Sequence, residues 1–322
     1  TQTGKTAPEG FKRNYYGRFV PGSTGKLTID GEEVVIINSA ENLEKVIENA
    51  QAGDTITIAG DITLTENVTI PAGVTFNGNG KQINGTLIAG GDITFAGHTK
   101  VTAFSAGFNG NEITIDEGAC LEITGGGRST MGYNNTFNIT GTITDAKSVD
   151  KANIQPSLIM PDGISITGGN GLELNIKDAY VQLGSTTSKN SAANGTFTIN
   201  IENSIAEFTN QLTFAEPTSG KTPTFNLNVK NSVLTTGTKL ILAAPNCNMV
   251  VDNSTIETAS YFRNSGKVEL NNGSVLNGKT IQFGENGGHD GETIVDNSEF
   301  TIIGGSTGNA FDGKGTGSIT FK

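Results

Sequence analysis

The sequence predicts an all-β fold: a single-stranded right-handed parallel β-helix (solenoid) of roughly ten rungs, with an N-terminal capping α-helix. Three observations predict it. The 322-residue chain has 44 Gly and no Trp and is rich in Thr, Asn, Ile and Val, which is typical of many short strands separated by tight turns. A repeat of about 24 residues runs through its second half. One amphipathic helix precedes the strand-sized segments.

The repeat is clearest in segments such as LNIKDAYV (174–181) and TIVDNSEF (293–300), in which an apolar strand is followed by a polar pair. The aligned polar positions lie 25, 28, 22, 19 and 25 residues apart, which is close to one turn of a three-faced coil. They are Asp178, Asn203, Asn231, Asn253, Asn272 and Asn297. A second, shorter strand-sized fragment lies between consecutive segments, as at 211–214 and 239–242. Stacked rungs would bury the apolar side of each unit.

The repeated asparagines have a physical reason to lie at the bends. Asn tolerates the left-handed backbone conformation, and its amide can both donate to and accept from the equivalent Asn one rung away. We therefore predict a structural ladder that consists of Asn203, Asn231, Asn253, Asn272 and Asn297. The alternative is a polar row that binds a ligand.

The chain divides into a leader or tether at 1–26 and a β-helix domain at 27–322. The leader is rich in Gly, Pro, Lys and Arg and has no period. The capping helix is predicted at about 40–50, with Ser39 as N-cap and an apolar stripe that includes Leu43, Val46 and Ile47.

Charge argues against one class of partner. The chain has 21 Lys plus Arg against 32 Asp plus Glu, a net charge of −11, and only four of its cations are Arg. Nucleic acid is therefore excluded as a partner, because phosphate backbones require clustered cations. No apolar stretch approaches the ~18 to 20 residues of a transmembrane segment. Because the chain begins at Thr1 without Met, we expect a secreted or cell-surface protein, with a signal peptide or lipid anchor upstream.

The two cysteines, Cys120 and Cys247, are predicted to be free and buried. At about 24 residues per rung and ~4.8 Å between stacked strands they lie about five rungs and ~25 Å apart. A disulfide requires Cα atoms within ~7 Å.

The helix, the segment GDTITIAGDITLTENVTIPAGVTFNGNGK (53–81) and the coils with Asn at the bend together resemble the pectin-lyase-like family of right-handed β-helices. The resemblance covers about 27–322 and implies that the N-terminal helix plugs the open end of the coil. The family includes lyases, hydrolases, adhesins, phage tailspikes and surface proteins, so the resemblance implies architecture more strongly than function.

The motifs of the family's enzymes are missing from the sequence. Its polygalacturonases carry paired aspartates within Asn-Thr-Asp and Asp-Asp motifs, Gly-His-Gly and Arg-Ile-Lys, and the nearest approach here is Gly288-His289-Asp290. Its pectate lyases use an arginine base and calcium held by clustered aspartates. The two arginines of the predicted coil, Arg128 and Arg263, lie near no such cluster in sequence. We therefore predict no catalytic residues, no metal and no cofactor.

Candidate ligand-binding residues lie in the irregular loops, where a solenoid usually carries its function. Arg128 and Tyr133, in the loop at 125–135, could bind a sugar by bidentate hydrogen bonding and stacking. His289, Asp290 and Glu292, in the loop at 284–292, could form an acid/base pair or part of a metal site. Solvated loops are the alternative in both places. Two further loops lie at 145–162 and 184–195.

The function expected from the sequence is that of a non-catalytic secreted or cell-surface protein, either adhesive or structural, or carbohydrate-contacting. Its partner would be a polysaccharide or another surface protein. The alternative is a polysaccharide lyase or glycoside hydrolase whose catalytic residues are assembled across rungs. A groove with two or three carboxylates within about 10 Å of each other would favour the enzyme.

Overall fold

The computed structural model describes residues 28–29, 32–33, 36–108, 110–127, 129–131, 133–166, 171–188, 194–215, 220–283, 291–302, 311–313 and 317–322. The leader proposed at 1–26 lies outside this range. The helix α1 spans Ala40–Asn49 and confirms the predicted capping helix. The Ser39 side chain accepts a hydrogen bond of 3.2 Å from the Asn42 N–H, and Leu43 is fully buried at the first end of the core.

The strands of the N-terminal part are short, and their bounds follow in chain order. They are β1 Thr28–Ile29, β2 Glu32–Glu33, β3 Thr55–Thr57, β4 Ile62–Thr63, β5 Val68–Ile70, β6 Thr75–Asn77, β7 Gln82–Ala89, β8 Ile93–Ala96, β9 His98–Ser105, β10 Glu112–Ile115, β11 Cys120–Ile123, β12 Ser129–Met131, β13 Asn135–Thr140, β14 Leu158–Met160 and β15 Ile164–Ile166.

The regular rungs begin with β16. The remaining strands are β16 Gly171–Lys177, β17 Tyr180–Leu183, β18 Thr186–Ser188, β19 Thr196–Glu202, β20 Ile205–Phe208, β21 Gln211–Phe214, β22 Thr224–Lys230, β23 Val233–Thr236, β24 Lys239–Leu242, β25 Cys247–Asp252, β26 Thr255–Thr258, β27 Tyr261–Asn264, β28 Lys267–Asn271, β29 Val275–Gly278, β30 Thr280–Phe283, β31 Glu292–Val295, β32 Glu299–Ile302, β33 Phe311–Gly313 and β34 Ser318–Phe321.

Three long parallel sheets define the solenoid. The first sheet stacks twelve strands, in the order β3-β6-β8-β10-β13-β16-β19-β22-β25-β28-β31-β34. The second sheet also has twelve strands and runs from β4 to β32, with β5 beside β7. The third sheet has eight strands and runs from β12 to β33. The predicted parallel β-helix with an N-terminal helix is therefore confirmed.

The rung count is twelve along the first sheet, against the roughly ten predicted. The difference arises before β12. There the third sheet has not yet begun, and Thr55, Thr75, Thr94 and Thr114 stack in register with only about 20 residues per rung. An estimate from the longer repeat of the second half therefore undercounts the two-sheeted rungs.

Buried and outward-facing side chains alternate along the strands, and the buried ones form the core. In β19, Phe197, Ile199 and Ile201 are buried, whereas Thr198 and Asn200 face outward. Ile201 lies in register between Ile176 and Val229, so each inward residue covers the one in the neighbouring rung. The Phe225 ring stacks on that of Phe197 with centroids 5.3 Å apart. The core is thus a continuous column of stacked apolar rows.

The bends between the first and second sheets adopt the predicted left-handed conformation. The φ angles of Asp178, Asn203, Asn231, Asn253, Asn272 and Asn297 lie between 44° and 56°. A serine follows each of the five asparagines, after Gly273 in the case of Asn272, and these serines form a ladder that the sequence did not suggest. Four of them are buried and Ser298 is half-buried. The links of the ladder join the N–H of each serine to the Oγ of the next at 3.0 to 3.2 Å, through Ser204, Ser232, Ser254, Ser274 and Ser298.

The asparagines of these bends lie on the outer side of the serine ladder. Asn253 Nδ2 donates to Asn231 Oδ1 at 2.8 Å, and Asn203 Nδ2 donates to Asp178 Oδ1 at 2.8 Å. Asn272 instead donates to Asp252 of the preceding strand. An uninterrupted amide ladder runs along the outer face of the first sheet, through Asn138, Asn175, Asn200 and Asn228, with links of 2.7 to 2.9 Å.

The cysteines are free and buried, as predicted. Cys247 belongs to the core, whereas Cys120 lies opposite His98 on the outer side of the second sheet. Burial raises the pKa of each thiol to about 12. Among the described residues, no helix is long and apolar enough to cross a membrane.

The serine ladder gives a direct test of the bend. Replacing Ser232 by Ala leaves the buried N–H of Ser204 without its acceptor, so we expect a loss of about 1–3 kcal/mol in the free energy of unfolding. Urea denaturation of the purified protein measures it. The exposed Ser318 is the control, and its replacement by Ala should change stability by less than about 0.5 kcal/mol. Equal stability of the two variants would contradict the ladder.

Candidate functional site

The predicted ligand-binding residues do not meet in one place. Arg128, His289 and Asp290 lie outside the described residues. Tyr133 precedes β13, whereas Glu292 begins β31, six strands further along the first sheet. Glu292 is exposed and stands opposite Lys267, whose pKa is raised mainly by its hydrogen bond to Glu269 and to a lesser extent by Glu292.

Tyr133, which is half-buried, forms an aromatic pair with the exposed Phe108. Its ring meets that of Phe108 edge to face, with centroids 4.6 Å apart and an interplanar angle of 87°. Phe108 is 67% exposed, although large apolar side chains are usually buried. The pair could not be predicted from the sequence, because Phe108 precedes Tyr133 by one rung.

The backbone beneath the pair is held in an uncommon conformation. Tyr133 and Asn134 have φ angles of 61° and 63°, in the left-handed region that non-glycine residues seldom adopt. Asn tolerates this conformation, but at Tyr133 it costs about 1–3 kcal/mol and persists only where the surroundings impose it. Here the Asn111 N–H donates to Asn135 Oδ1 at 2.7 Å, and Asn135 Nδ2 donates to the Gly107 carbonyl at 3.0 Å. These two buried amides fix the loops that carry the two rings.

A cavity of about 390 Å³ adjoins the aromatic pair through Asn134, at the bend that leads into the first sheet. We call it the bend pocket. It is lined by Asn134, Thr136, Gly171, Leu172, Glu173, Asn194, Gly195, Thr196 and Thr198. A Cβ at Gly171 would lie 2.7 Å from the Thr196 carbonyl oxygen and 3.2 Å from Asn134 Oδ1, so glycine is required for the close packing there. The pocket offers amide, hydroxyl and carboxylate groups, and its Asn134 immediately follows Tyr133 of the aromatic pair.

A second concave surface lies on the outer face of the second sheet, and we call it the groove. Its volume is about 530 Å³. Glu207, Thr235, Glu257 and Asn277 occupy the same position on four successive strands and form its floor. Lys279 lines it at the bend towards the third sheet.

Glu207 is the anchor of a polar cluster at one end of the groove. It accepts hydrogen bonds from Tyr180 Oη at 2.5 Å and from Gln182 Nε2 at 3.3 Å, and it forms an ion pair with Lys151. Burial would raise the pKa of Glu207, but the hydrogen bonds from Lys151, Tyr180 and Gln182 outweigh it and lower the pKa. Burial and the bond to Glu207 raise the pKa of Tyr180 to about 12. The cluster therefore holds an ionised carboxylate at neutral pH.

Lys151 belongs to an insertion that we call the strap, residues 141–157. Two or three residues join the first and second sheets at the following bends, as at 203–204 and 272–274, whereas the 17-residue strap joins β13 to β14. It folds back over the second sheet, where its Ile143 and Ala146 bury the outward-facing Tyr180 and Ile205. The loop predicted at 145–162 thus includes most of the strap, which covers part of the second sheet.

The strap is fastened along the row of bend asparagines. Asn203 Nδ2 donates to the Ile143 carbonyl at 2.9 Å, and Asn203 Oδ1 accepts from the Ala146 N–H at 3.2 Å. Lys147 Nζ reaches Asn253 Oδ1 at 2.6 Å. Two of the predicted ladder residues therefore bind the strap as well as neighbouring rungs.

Neither a search for metal-binding clusters nor comparison with known proteins assigns a function to these surfaces. Within the part of the chain that the structure describes, no group of three or more His, Cys, Asp and Glu side chains could hold a metal ion. No protein-family model matches the chain, and comparison with curated proteins and with solved structures found no match.

Cys120 reports on the strap, because Gln155 of the strap contacts its buried thiol. Replacing Asn203 by Gly keeps the left-handed bend but removes both bonds to the strap, so we expect Cys120 to react with iodoacetamide about 5- to 100-fold faster at mildly alkaline pH. Peptide mapping separates Cys120 from Cys247, whose rate should not change.

The matched control for this experiment is Asn231→Gly, at the next bend. Asn231 shares the left-handed conformation and accepts a hydrogen bond from Asn253. If Asn231→Gly accelerated Cys120 labelling as much as Asn203→Gly, general loosening of the rungs and not the strap would control the thiol.

Proposed function

We propose that the chain is a non-catalytic, carbohydrate-contacting β-helix protein of the pectin-lyase-like type, secreted or displayed at the cell surface. The observation that carries the proposal is the Phe108–Tyr133 pair, whose Phe108 ring is exposed and whose Tyr133 immediately precedes Asn134 of the bend pocket. Aromatic rings offer sugars an apolar surface, and the nearby amides and hydroxyls offer hydrogen bonds that fix orientation. An adhesive role follows from this, because glycan polymers are abundant outside cells.

Preorganisation supports the proposal. The buried Asn111 and Asn135 fix the loops before any ligand arrives, so little conformational entropy is lost on binding. The left-handed backbone at Tyr133, a residue type that seldom adopts it, is typical of binding sites, where surrounding structure imposes an unfavourable conformation. A solenoid edge also suits a polymer, since equivalent positions recur every ~4.8 Å along the axis.

The groove favours the enzymatic alternative. Glu207 and Glu257 lie two strands apart, or about 9.6 Å, close to the upper limit of the ~6.5–9.5 Å that separates the two carboxyl groups of inverting glycosidases. In this alternative Glu207, kept ionised, would act as base and Glu257 as acid. The ion pair of Glu207 with Lys151 argues against this enzymatic alternative, because a general base needs a free lone pair directed towards water.

The proposal predicts that Phe108→Ala binds polysaccharide about 5- to 10-fold more weakly than the unchanged protein, because the stacking surface is lost. Affinity electrophoresis against neutral glucans, galactans, mannans and xylans measures this. Phe321→Ala is the matched control, since Phe321 is 68% exposed but lies on the last strand, remote from the pocket.

Two results would contradict the proposal. One is that the protein binds no polysaccharide. The other is that Phe108→Ala and Phe321→Ala weaken polysaccharide binding equally, which would show that the aromatic pair does not determine it. The same incubations, assayed for reducing or unsaturated ends, address the enzyme. Product formation that is lost in Glu257→Gln would establish the alternative.

A further inference from the structure

We infer that the bend pocket selects neutral glycans and rejects glycans that carry uronic acid carboxylates. The inference rests on the proposed function and names the class of sugar that the same pocket accepts. It starts from Glu173, an exposed carboxylate on the pocket wall.

Glu173 belongs to an acidic row on the outer face of the first sheet. The strand register aligns Glu112, Thr136 and Glu173 on successive strands, and Asp92 immediately precedes β8, one rung before Glu112. The Asp92 carboxylate accepts the Glu112 N–H at 2.7 Å, and Glu112 Oε1 accepts Asn138 Nδ2 at 2.6 Å. Glu112 and Glu173 thus flank Thr136, which itself lines the pocket. A polymer that extends from the pocket along this row passes three carboxylates.

Cations of the described residues lie further away along the same row. Beyond Glu173 the row continues with Thr198, Asn226 and Asn248 before Lys267, four strands or about 19 Å from Glu173. That distance exceeds the Debye length of ~8–10 Å. Lys177 lies four residues along the same strand as Glu173, about 13 Å away. Lys221 lies closer, since it is exposed and precedes Thr222, whose N–H donates to Asn194 of the pocket wall at 2.8 Å. A single cation does not offset the three carboxylates of the row.

The row acts differently on the two kinds of sugar. A uronate brought within about 4 Å of one of these carboxylates is repelled by an amount that corresponds to about 5-fold in affinity even in bulk water. A neutral sugar instead donates a hydroxyl to Glu173 in a charge-assisted hydrogen bond. The net charge of −11 adds to the effect at long range.

The experiment uses the full chain and matched glycan pairs. Each pair is a neutral glucan, galactan or mannan and the same polymer with its primary hydroxyls oxidised to carboxylates. Affinity is measured at low and high salt for the unchanged protein, Glu173→Gln and Glu292→Gln. Glu292 is the matched control, since it is an exposed carboxylate in the same outward row, five strands beyond Glu173.

We expect the unchanged protein to bind the neutral member of each bound pair at least about 5-fold more tightly, with a preference that high salt reduces. Glu173→Gln should reduce the preference several-fold, and Glu292→Gln should keep it. Equal binding of both members, tighter binding of the uronate, or a preference unchanged in Glu173→Gln would overturn this inference alone. Binding of no member of any pair would overturn the proposed function as well.

Discussion

In-register stacking of the rungs is the constraint on which the structure depends. Each backbone N–H and C=O of a strand is paired only if the neighbouring strand keeps the same register, and a slip of one residue would turn every apolar side chain outward. The left-handed Asn at each bend turns the chain at a constant place, and the buried serine that follows satisfies the N–H of the preceding rung. The Asn-Ser pair therefore sets the register of the column.

Functional groups are added to this column without changing it. The strap replaces a two-residue bend and covers Tyr180 and Ile205, while its Lys151 fixes Glu207 at the end of the groove. Before the first-sheet strands begin, two loops of adjacent rungs bring Phe108 against Tyr133. In both places the contacting residues are remote in sequence, and the rungs bring them together because strands one turn apart lie side by side.

The sequence predicted what depends on local pattern and period. The capping helix, the stacked parallel strands and the free cysteines follow from residue spacing, and Tyr133 stood out as an aromatic residue in an irregular loop. The serine ladder, the role of Phe108 and the contacts of Lys151 could not be predicted, because each depends on which rungs are neighbours. That order is hard to read between 82 and 170, where rungs of unequal length and the strap interrupt the period. Glu207 likewise has no local motif, since its partners lie 56 and 27 residues away in the chain.

The register can be tested most directly by comparing thermal unfolding of Ile201→Asp and Asn200→Asp. The two positions are adjacent on β19, but Ile201 points into the core with 1% exposure and Asn200 lies on the outer amide ladder. Stacked rungs predict that a carboxylate at 201, buried without a partner, abolishes cooperative unfolding, whereas a carboxylate at 200 lowers stability only modestly. Similar melting curves for the two variants, or greater damage at 200, would contradict the inward register and with it the stacked column.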